Sequence, residues 1–368
     1  MECKFSGKQI DKAGKFFLQN DYLLKDENAG EFNLVMDVLS NWRFCHETPL
    51  NEALQTLRKT VGYHDKTAIF AKRLKRYFSI QKKLKIHTKM TLRNMHDIGG
   101  CRAIVENEKK LRKSVRDLKR LSFFQTSSGN FRSKDYIKNP KDSGYRGYHL
   151  IGRFASKNQK PRNIEIQLRT RIQHYWATAL EIVDLFTGQA LKSNQGTKEW
   201  SKFFELVGQQ FAIIDSIPIF KKLKNEEQQA RYEDRILRSS TLRNSCYQTQ
   251  EASKKLKIQR YFAAFAGSLE VVDKRIHESP DSAYVLLSVD FSAKELTTKV
   301  FSSENNKRAE SEYINAEKAA AKKDDLVVAL VSTSKVGGIK EAFPNFFADS
   351  TEFLSLINLI NSVRIFRN

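Results

Sequence analysis

The segment 163–169 constrains the fold more than any other part of the chain. Apolar and polar residues alternate along it: Ile164, Ile166 and Leu168 form one set, and Glu165, Gln167 and Arg169 form the other. A period of two is typical of a strand with one buried face and one polar face. We therefore predict a sheet whose apolar face packs on helices, while its polar face stays open and can hold a phosphate-binding site.

Other elements are predicted on both sides of this strand. Helical spacing of apolar residues predicts helices at 33–60, 67–86, 108–121, 170–187, 195–217, 221–260 (one or two), 308–323 and 350–363. Apolar runs predict strands at 101–105, 147–154, 162–169, 283–290 and 325–332. Residues 125–145 are rich in Ser, Gly, Asn, Lys and Pro, which indicates a long functional loop. The fold class is α/β, of the α+β type.

The positive charge is concentrated in one block. The 368-residue chain has a net charge of +22, and residues 51–200 alone hold 33 Lys and Arg against 12 Asp and Glu. Such a field attracts polyanions, so nucleotides or nucleic acid are the expected partners, with a merely solvated basic face as the alternative.

The predicted elements and the distribution of charge divide the chain into three parts. These are an N-terminal helical segment (1–50), a catalytic domain (51–225), and a helical connector with a small α/β module (226–368). We find no catalytic constellation in the last part, so we expect an interaction or regulatory module that binds a protein partner.

Several classes of protein are disfavoured. The chain has no apolar run of 18 residues and no signal-peptide pattern at its start, so we expect a cytoplasmic protein without membrane spans. Its four cysteines are far apart and form no CxxC pair, which argues against a disulfide framework or a zinc site.

Residues that can bind phosphate or a metal ion lie before the strand at 101–105 and on the polar face of the strand at 162–169. Arg73, Lys75 and Lys83 are predicted to share one helix face, where they can clamp a triphosphate. Asp97 lies just before the strand and offers the hard oxygen that Mg²⁺ prefers. Glu165, on the polar face, can complete the metal site or accept a proton from a hydroxyl nucleophile.

The loop before the strand at 147–154 carries a second group. Lys141 and Arg146 can meet phosphate, and Tyr145 can stack on a base. His149 can bond a phosphate or a ribose, while Gly144 allows the backbone to turn.

Read together, these segments resemble the synthetase domain of the RelA/SpoT alarmone family. The matching stretches are RLKRYFSIQKK (73–83), DIGGCR (97–102), DYIKNPKDSGYRGYH (135–149) and EIQLRTRIQHYWA (165–177). The resemblance covers about 50–215 and implies a nucleotidyltransferase-like mixed sheet of five strands flanked by helices. It also implies a diphosphotransferase, which moves the β,γ-diphosphate of ATP to the ribose 3′-OH of GDP or GTP to make (p)ppGpp.

The resemblance also assigns roles to single residues. Asp97 and Glu165 would be the catalytic acids that hold Mg²⁺, and ATP would be bound by Arg73, Lys75, Lys83 and Arg102. The acceptor would be bound by Lys141, Tyr145, Arg146 and His149, with Tyr145 stacked on its base.

The acceptor side departs from the family pattern, because Gly147-Tyr148 stands where many relatives have Ser-Leu. Two alternatives to GDP or GTP therefore stay open. One is a toxin that pyrophosphorylates the 3′-CCA end of tRNA and is restrained by its C-terminal module. The other is a catalytically inactive nucleic-acid-binding module, which the retention of Asp97 and Glu165 disfavours.

Long members of the family also carry an N-terminal HD hydrolase. HD dipeptides occur at His64-Asp65 and His96-Asp97, but only about 60 residues precede the synthetase motifs. We expect no hydrolase domain.

Overall fold

The computed structural model describes residues 3–19, 29–75, 77–155, 160–187, 197–262, 282–290, 293, 295–305, 308–309, 311–313, 315–316, 326–332 and 346–365. The chain divides into two compact units. The first comprises residues 1–139 and 147–171, and the second comprises 140–146 and 172–368. The predicted boundaries near 50 and 225 follow sequence patterns rather than this division and stay predictions.

The first unit is built on a mixed five-stranded sheet with the strand order β1-β2-β5-β4-β3. The strands are β1 (Ile69–Leu74), β2 (Gly99–Val105), β3 (Ser133–Asp135), β4 (Tyr148–Phe154) and β5 (Arg162–Thr170). β2 and β5 are parallel, and the other three pairs are antiparallel. The predicted sheet of five strands flanked by helices is confirmed.

Two helices cover the apolar face of this sheet, α3 (Glu47–His64) and α5 (Glu108–Lys119). Leu57 of α3 and Leu111 of α5 are fully buried with Ile164, Ile166 and Leu168 of β5. Burying each such side chain contributes about 1.5–3 kcal/mol, so the apolar set of the alternation fixes which face of β5 meets the helices.

A second cluster lies among the remaining helices of this unit. α1 (Gly7–Gln19), α2 (Ala29–Phe44) and α4 (Tyr77–Ile86) bury Ile10, Leu39 and Ile80 together. The described part of the N-terminal segment is therefore mainly helical and packs with the element that carries Lys83.

Two helix predictions are corrected. The predicted helix 67–86 is a strand in its first part, because residues 69–74 pair antiparallel with β2 from Ile69 opposite Ile104 to Leu74 opposite Gly99. Tertiary pairing here overrides the helical spacing of the sequence. The predicted helix 33–60 is two helices, α2 and α3, separated by a turn at Cys45 and His46.

The second unit contains α6 (Arg171–Thr187), α7 (Lys198–Asp215), α8 (Asn225–Leu237), α9 (Ser240–Lys255) and α10 (Phe346–Ser362), with Arg171 counted in the first unit. It also holds an antiparallel sheet in the order β7-β6-β8, formed by β6 (Ser282–Asp290), β7 (Glu295–Ser302) and β8 (Leu326–Ser332). The small α/β arrangement near the C-terminus agrees with the prediction. Most of the predicted helix 308–323 lies outside the described residues.

The C-terminal elements share one core with α6 and α7. Phe353 of α10 is fully buried and stacks on Phe262, with ring centroids 4.9 Å apart, and it meets Phe211 of α7 at 5.5 Å. Val285 of β6 belongs to the same cluster. α10 and β6 are therefore structural parts of the core that holds α6 and α7.

Candidate active site

The polar face of the five-stranded sheet gathers the predicted ATP-side residues. In the register, Glu165 of β5 lies beside Gly100 of β2, and Gly100 lies beside Arg73 of β1. One step along, Gln167 lies between Arg102 and His149. These side chains share one face because neighbouring strands keep opposed residues on the same side. Gly100 leaves a gap in the row between Arg73 and Glu165.

Asp97 is held between two lysines that come from different elements. The Nζ atoms of Lys75 and Lys83 lie 2.8 Å from Oδ2 and Oδ1 of Asp97, respectively. Burial tends to raise the pKa of the Asp97 carboxyl, but the two ammonium charges outweigh it and keep the pKa below its usual value. Asp97 is therefore ionised at neutral pH.

Arg73, Lys75 and Lys83 do not share a helix, contrary to the prediction. Arg73 lies in β1, Lys75 follows the strand, and Lys83 lies in α4. Sheet pairing and the α4 packing, rather than helical periodicity, bring Lys75 and Lys83 to the same carboxylate.

Glu165 is fixed by two neighbours on the polar face. His149 Nδ1 lies 3.0 Å from Glu165 Oε1, and Gln167 Nε2 donates to Oε2 at 2.7 Å. Burial tends to raise the pKa of Glu165, but the bonds from His149 and Gln167 lower it well below its usual value. Because a carboxylate only accepts, His149 carries its proton on Nδ1.

The two acids lie close enough to interact. The charge of Glu165 tends to raise the pKa of Asp97, so the pair repels and is balanced by Lys75 and Lys83. Among the described residues no group of three or more His, Cys, Asp or Glu forms a metal cluster. Two carboxylates nevertheless suit Mg²⁺, which is commonly held by one or two carboxylates together with substrate phosphates.

Three of the predicted acceptor residues lie in the second unit, in the segment 140–146. Lys141 Nζ lies 5.2 Å from the ring centroid of Tyr145, and the Tyr145 ring meets Trp176 of α6 edge-on at 6.1 Å. Arg146 Nε donates to the carbonyl of Gly208 in α7 at 3.3 Å. His149, the fourth, belongs to the first unit with Glu165.

Three further residues, for which no role was predicted, support this site. Gln167 bonds Glu165, and Arg169 Nη2 donates to Gln167 Oε1 at 3.3 Å. The alternation of apolar and polar residues in β5 is the sequence pattern that places Gln167 and Arg169 on the same face as Glu165. Arg43 of α2 donates to the Lys75 carbonyl at 2.7 Å, and it has no sequence signal because the contact spans 32 residues.

The HD dipeptides have structural partners. His64 Nε2 lies 2.6 Å from Asp117, and the buried Asp65 accepts from the Glu106 N–H and from Lys110. His96 interacts with Arg132 at 3.5 Å, while Asp97 faces the two lysines.

Comparisons with known proteins find similarities to this region. Residues 72–182 match the model described as "Region found in RelA / SpoT proteins". A probable GTP diphosphokinase RSH3 of Arabidopsis thaliana is 33% identical over 124 residues, which is 33% of this chain and 16% of that protein. GTP pyrophosphokinase YjbM of Bacillus subtilis is 30% identical over 90 residues, 24% of this chain and 41% of that protein. The chain thus spans well under half the length of these relatives.

Solved structures of alarmone synthetases also align with this chain, at low sequence identity. Small alarmone synthetase 1 of Bacillus subtilis, bound to its product pppGpp, aligns over 47% of this chain and 92% of that one, with 20% identity and a TM-score of 0.39. Small alarmone synthetase 2 of the same organism aligns over 51% and 98%, with 23% identity and a TM-score of 0.40. TM-scores of this size carry no argument about function.

Proposed function

We propose that the protein is a diphosphotransferase that moves the β,γ-diphosphate of ATP to a ribose 3′-OH, in line with the match of residues 72–182 to the region found in RelA / SpoT proteins. The acceptor in this proposal is GDP or GTP, and the product is (p)ppGpp. The observation that carries the proposal is the convergence of Lys75 and Lys83 on Asp97, beside Glu165, on the polar face of the sheet.

The chemistry requires two polyanions to meet. The 3′-oxygen attacks the β-phosphorus of ATP, the bond from the α-phosphate bridging oxygen to Pβ breaks, AMP leaves, and the hydroxyl proton is lost. Positioning and charge neutralisation supply most of the catalysis in such transfers. Lys75, Lys83, Arg73 and Arg102 are the cations proposed for the phosphates of ATP.

Asp97 and Glu165 are proposed to hold Mg²⁺ together with phosphate oxygens, and the ion would neutralise charge on the diphosphate. The low pKa of Glu165 makes it a weak base. This favours a metal-binding or orienting role for Glu165 over proton abstraction. His149 and Gln167 then act as the neighbours that fix its oxygens.

Lys141, Tyr145, Arg146 and His149 are proposed to bind the acceptor, with Tyr145 stacked on the base. A second candidate acceptor is the 3′-CCA end of tRNA. The charge of residues 51–200 suits the extra phosphate contacts of a tRNA, but a mononucleotide site also needs cations, so the charge does not decide between the two acceptors. No described helix is both long and apolar enough to cross a membrane. A cytoplasmic location and a regulatory partner for the C-terminal elements stay predictions.

A transfer assay tests this function. Purified protein is incubated with ATP labelled at the β- or γ-phosphate and, separately, with GDP, GTP and deacylated tRNA. Label in GDP or GTP supports the first acceptor, label in tRNA supports the second, and label in none of them contradicts the transfer reaction.

Substitutions then test the site. We expect Asp97→Asn and Glu165→Gln each to lower kcat by at least about 10³-fold, on the scale seen when a group that stabilises developing charge is removed. Asp37→Asn is the matched control, because Asp37 is an exposed acid of the same unit, on α2. Retained activity in Asp97→Asn or Glu165→Gln would remove that residue from the proposed site.

A further inference from the structure

A basic surface lies on the side of the first sheet opposite the reaction centre. It is formed by α3, the turn after it, and α5, and we name it the α3/α5 face. Its exposed cations are Arg58, Lys59 and Lys66 from α3 and its turn, and Lys109, Lys113, Arg116 and Arg120 from α5 and its C-cap. Since α3 and α5 pack on the apolar face with Ile164 and Ile166, these cations point away from Glu165.

On α5, the exposed positions are occupied by cations. Between Glu108 and Arg120 the residues with exposed side chains are four cations, spaced at i, i+4, i+7 and i+11, which places them on one helix face. Arg116 and Arg120 keep 61% and 71% of their side-chain surface exposed. The two carboxylates of α5 are half-buried and ion-paired. Glu108 pairs with Arg112, and Asp117 pairs with His64, with Arg116 at 3.5 Å and with Arg120 at 3.3 Å.

The neighbouring helix adds to the same charge. From Gln55 to His64, α3 contains no carboxylate, and Asp65 after it is buried and bonded. The His64–Asp117 bond of 2.6 Å joins the two helices, so their cation rows lie side by side. A solubilising surface needs only mixed charges, whereas the most exposed charged residues of this one are all cations.

We propose that the α3/α5 face binds the phosphate backbone of a nucleic-acid duplex. Lys109 to Arg120 spans about 16 Å of helix at 1.5 Å per residue, which matches about five base steps at 3.4 Å. Packed helices lie about 8–10 Å apart, so two rows can contact both sides of a groove. Tyr63 is the exposed aromatic of this face, and sites for single strands depend on several stacking platforms. The site therefore suits a duplex and does not depend on the transfer reaction.

Fluorescence anisotropy tests this proposal with two labelled probes of about 20 base pairs, an RNA hairpin and a DNA duplex of the same sequence. We expect the wild-type protein to bind at least one of them, with an affinity that falls steeply with salt. Each phosphate contact contributes about 0.9 to the slope of log K against log salt concentration. The probe that binds with the higher affinity identifies whether RNA or DNA supplies the phosphate backbone.

The diagnostic variant replaces Lys109, Lys113, Arg116 and Arg120 with Gln. Its duplex affinity should fall at least tenfold, and its salt slope should decrease by about 3–4, one contact for each lost cation. The matched control replaces Arg231, Arg235, Lys254 and Lys255, four exposed cations of α8 and α9, and should bind within twofold of wild type. Thermal unfolding verifies that both variants are folded.

Three results would overturn the proposal. One is equal duplex affinity of the α5 variant and the wild type. Another is complete competition by ATP, which would locate duplex binding at the reaction centre. The third is binding to phosphatidylserine vesicles without binding to either duplex, which would make the face a membrane contact.

Discussion

Glu165 shows how neighbouring side chains set the properties of one acid. It is half-buried on the polar face, where burial favours the neutral form, yet His149 and Gln167 hold it ionised. A carboxylate that is hydrogen-bonded on both oxygens has a fixed orientation as well as a low pKa. Both properties suit the role proposed for Glu165, which is to position a metal-bound nucleotide.

The lowered pKa of Glu165 predicts a contribution to stability that depends on pH. Because the folded pKa lies below the unfolded value of about 4.5, the contribution is fully present above that value and is lost as the pH falls toward the folded pKa. The free energy of unfolding should decrease below about pH 4.5 by up to ~1.4 kcal/mol per pH unit for this group.

Urea unfolding between pH 7 and pH 3 measures this effect. Glu165→Gln should give a flatter pH profile than the wild type, whereas Glu251→Gln, an exposed acid on α9, should follow the wild-type profile. Parallel profiles for Glu165→Gln and wild type would show that Glu165 is not held ionised.

At the scale of elements, the segment 140–146 depends on close contact with α7. Gly144 has a φ of 87°, and a Cβ there would lie 2.7 Å from the Phe204 carbonyl oxygen. From the other side, a Cβ on Gly208 would lie 2.5 Å from the Gly144 carbonyl oxygen. Two glycines thus let the backbone of the segment lie directly on the helix, where Arg146 also bonds the Gly208 carbonyl.

Gly208→Ala should therefore displace this segment. The added methyl meets backbone, which cannot rotate away, so we expect a loss of about 1–3 kcal/mol in the free energy of unfolding. If the segment binds the acceptor, the acceptor KM should also rise about tenfold while the KM for ATP stays within twofold.

Gly62→Ala is the matched control, because Gly62 also lies in a helix but has open space around its Cβ position. It should be neutral or stabilising by up to about 1 kcal/mol, as alanine is the better helix former. Equal stabilities of the Gly62→Ala and Gly208→Ala variants would contradict the packing argument. Chemical denaturation and steady-state kinetics provide both measurements.

At the scale of the whole molecule, the C-terminal elements form part of a larger core. Besides the contacts of Phe353, Gln250 of α9 donates to the carbonyls of Ile360 and Val363 at the end of α10. His174 of α6 also lies 3.1 Å from Asp349 of α10. Removing residues 226–368 would therefore uncover the core of α6 and α7, so a deletion cannot separate regulation from stability.

A point substitution in α10 tests this shared core. Phe353→Ala should destabilise the protein by about 3–5 kcal/mol, the usual cost of emptying a buried aromatic site. Ser355→Ala, at an exposed position of the same helix, should change the free energy of unfolding by less than ~0.5 kcal/mol. Denaturant unfolding followed by tryptophan fluorescence reports on Trp176 and Trp200, which lie in this core. If Phe353→Ala lowered the free energy of unfolding by less than 1 kcal/mol, α10 would not be needed for the stability of this core.

The five-stranded mixed sheet was implied by the resemblance to the RelA/SpoT family, whereas periodicity alone predicted only β2, β4 and β5 of it. The sequence by itself determined these three strands, the alternation of β5, and the candidate acids Asp97 and Glu165. These depend on local periodicity and on motifs of few residues, which a single chain displays directly. Only the tertiary structure decided that Arg73 lies in a strand while Lys83 lies in a helix, since pairing between β1 and β2 overrides local spacing. The same holds for the support of Lys75 by Arg43 and for the joining of α10 to the core of α7, because contacts over 32 and more than 130 residues leave no periodic trace in the sequence.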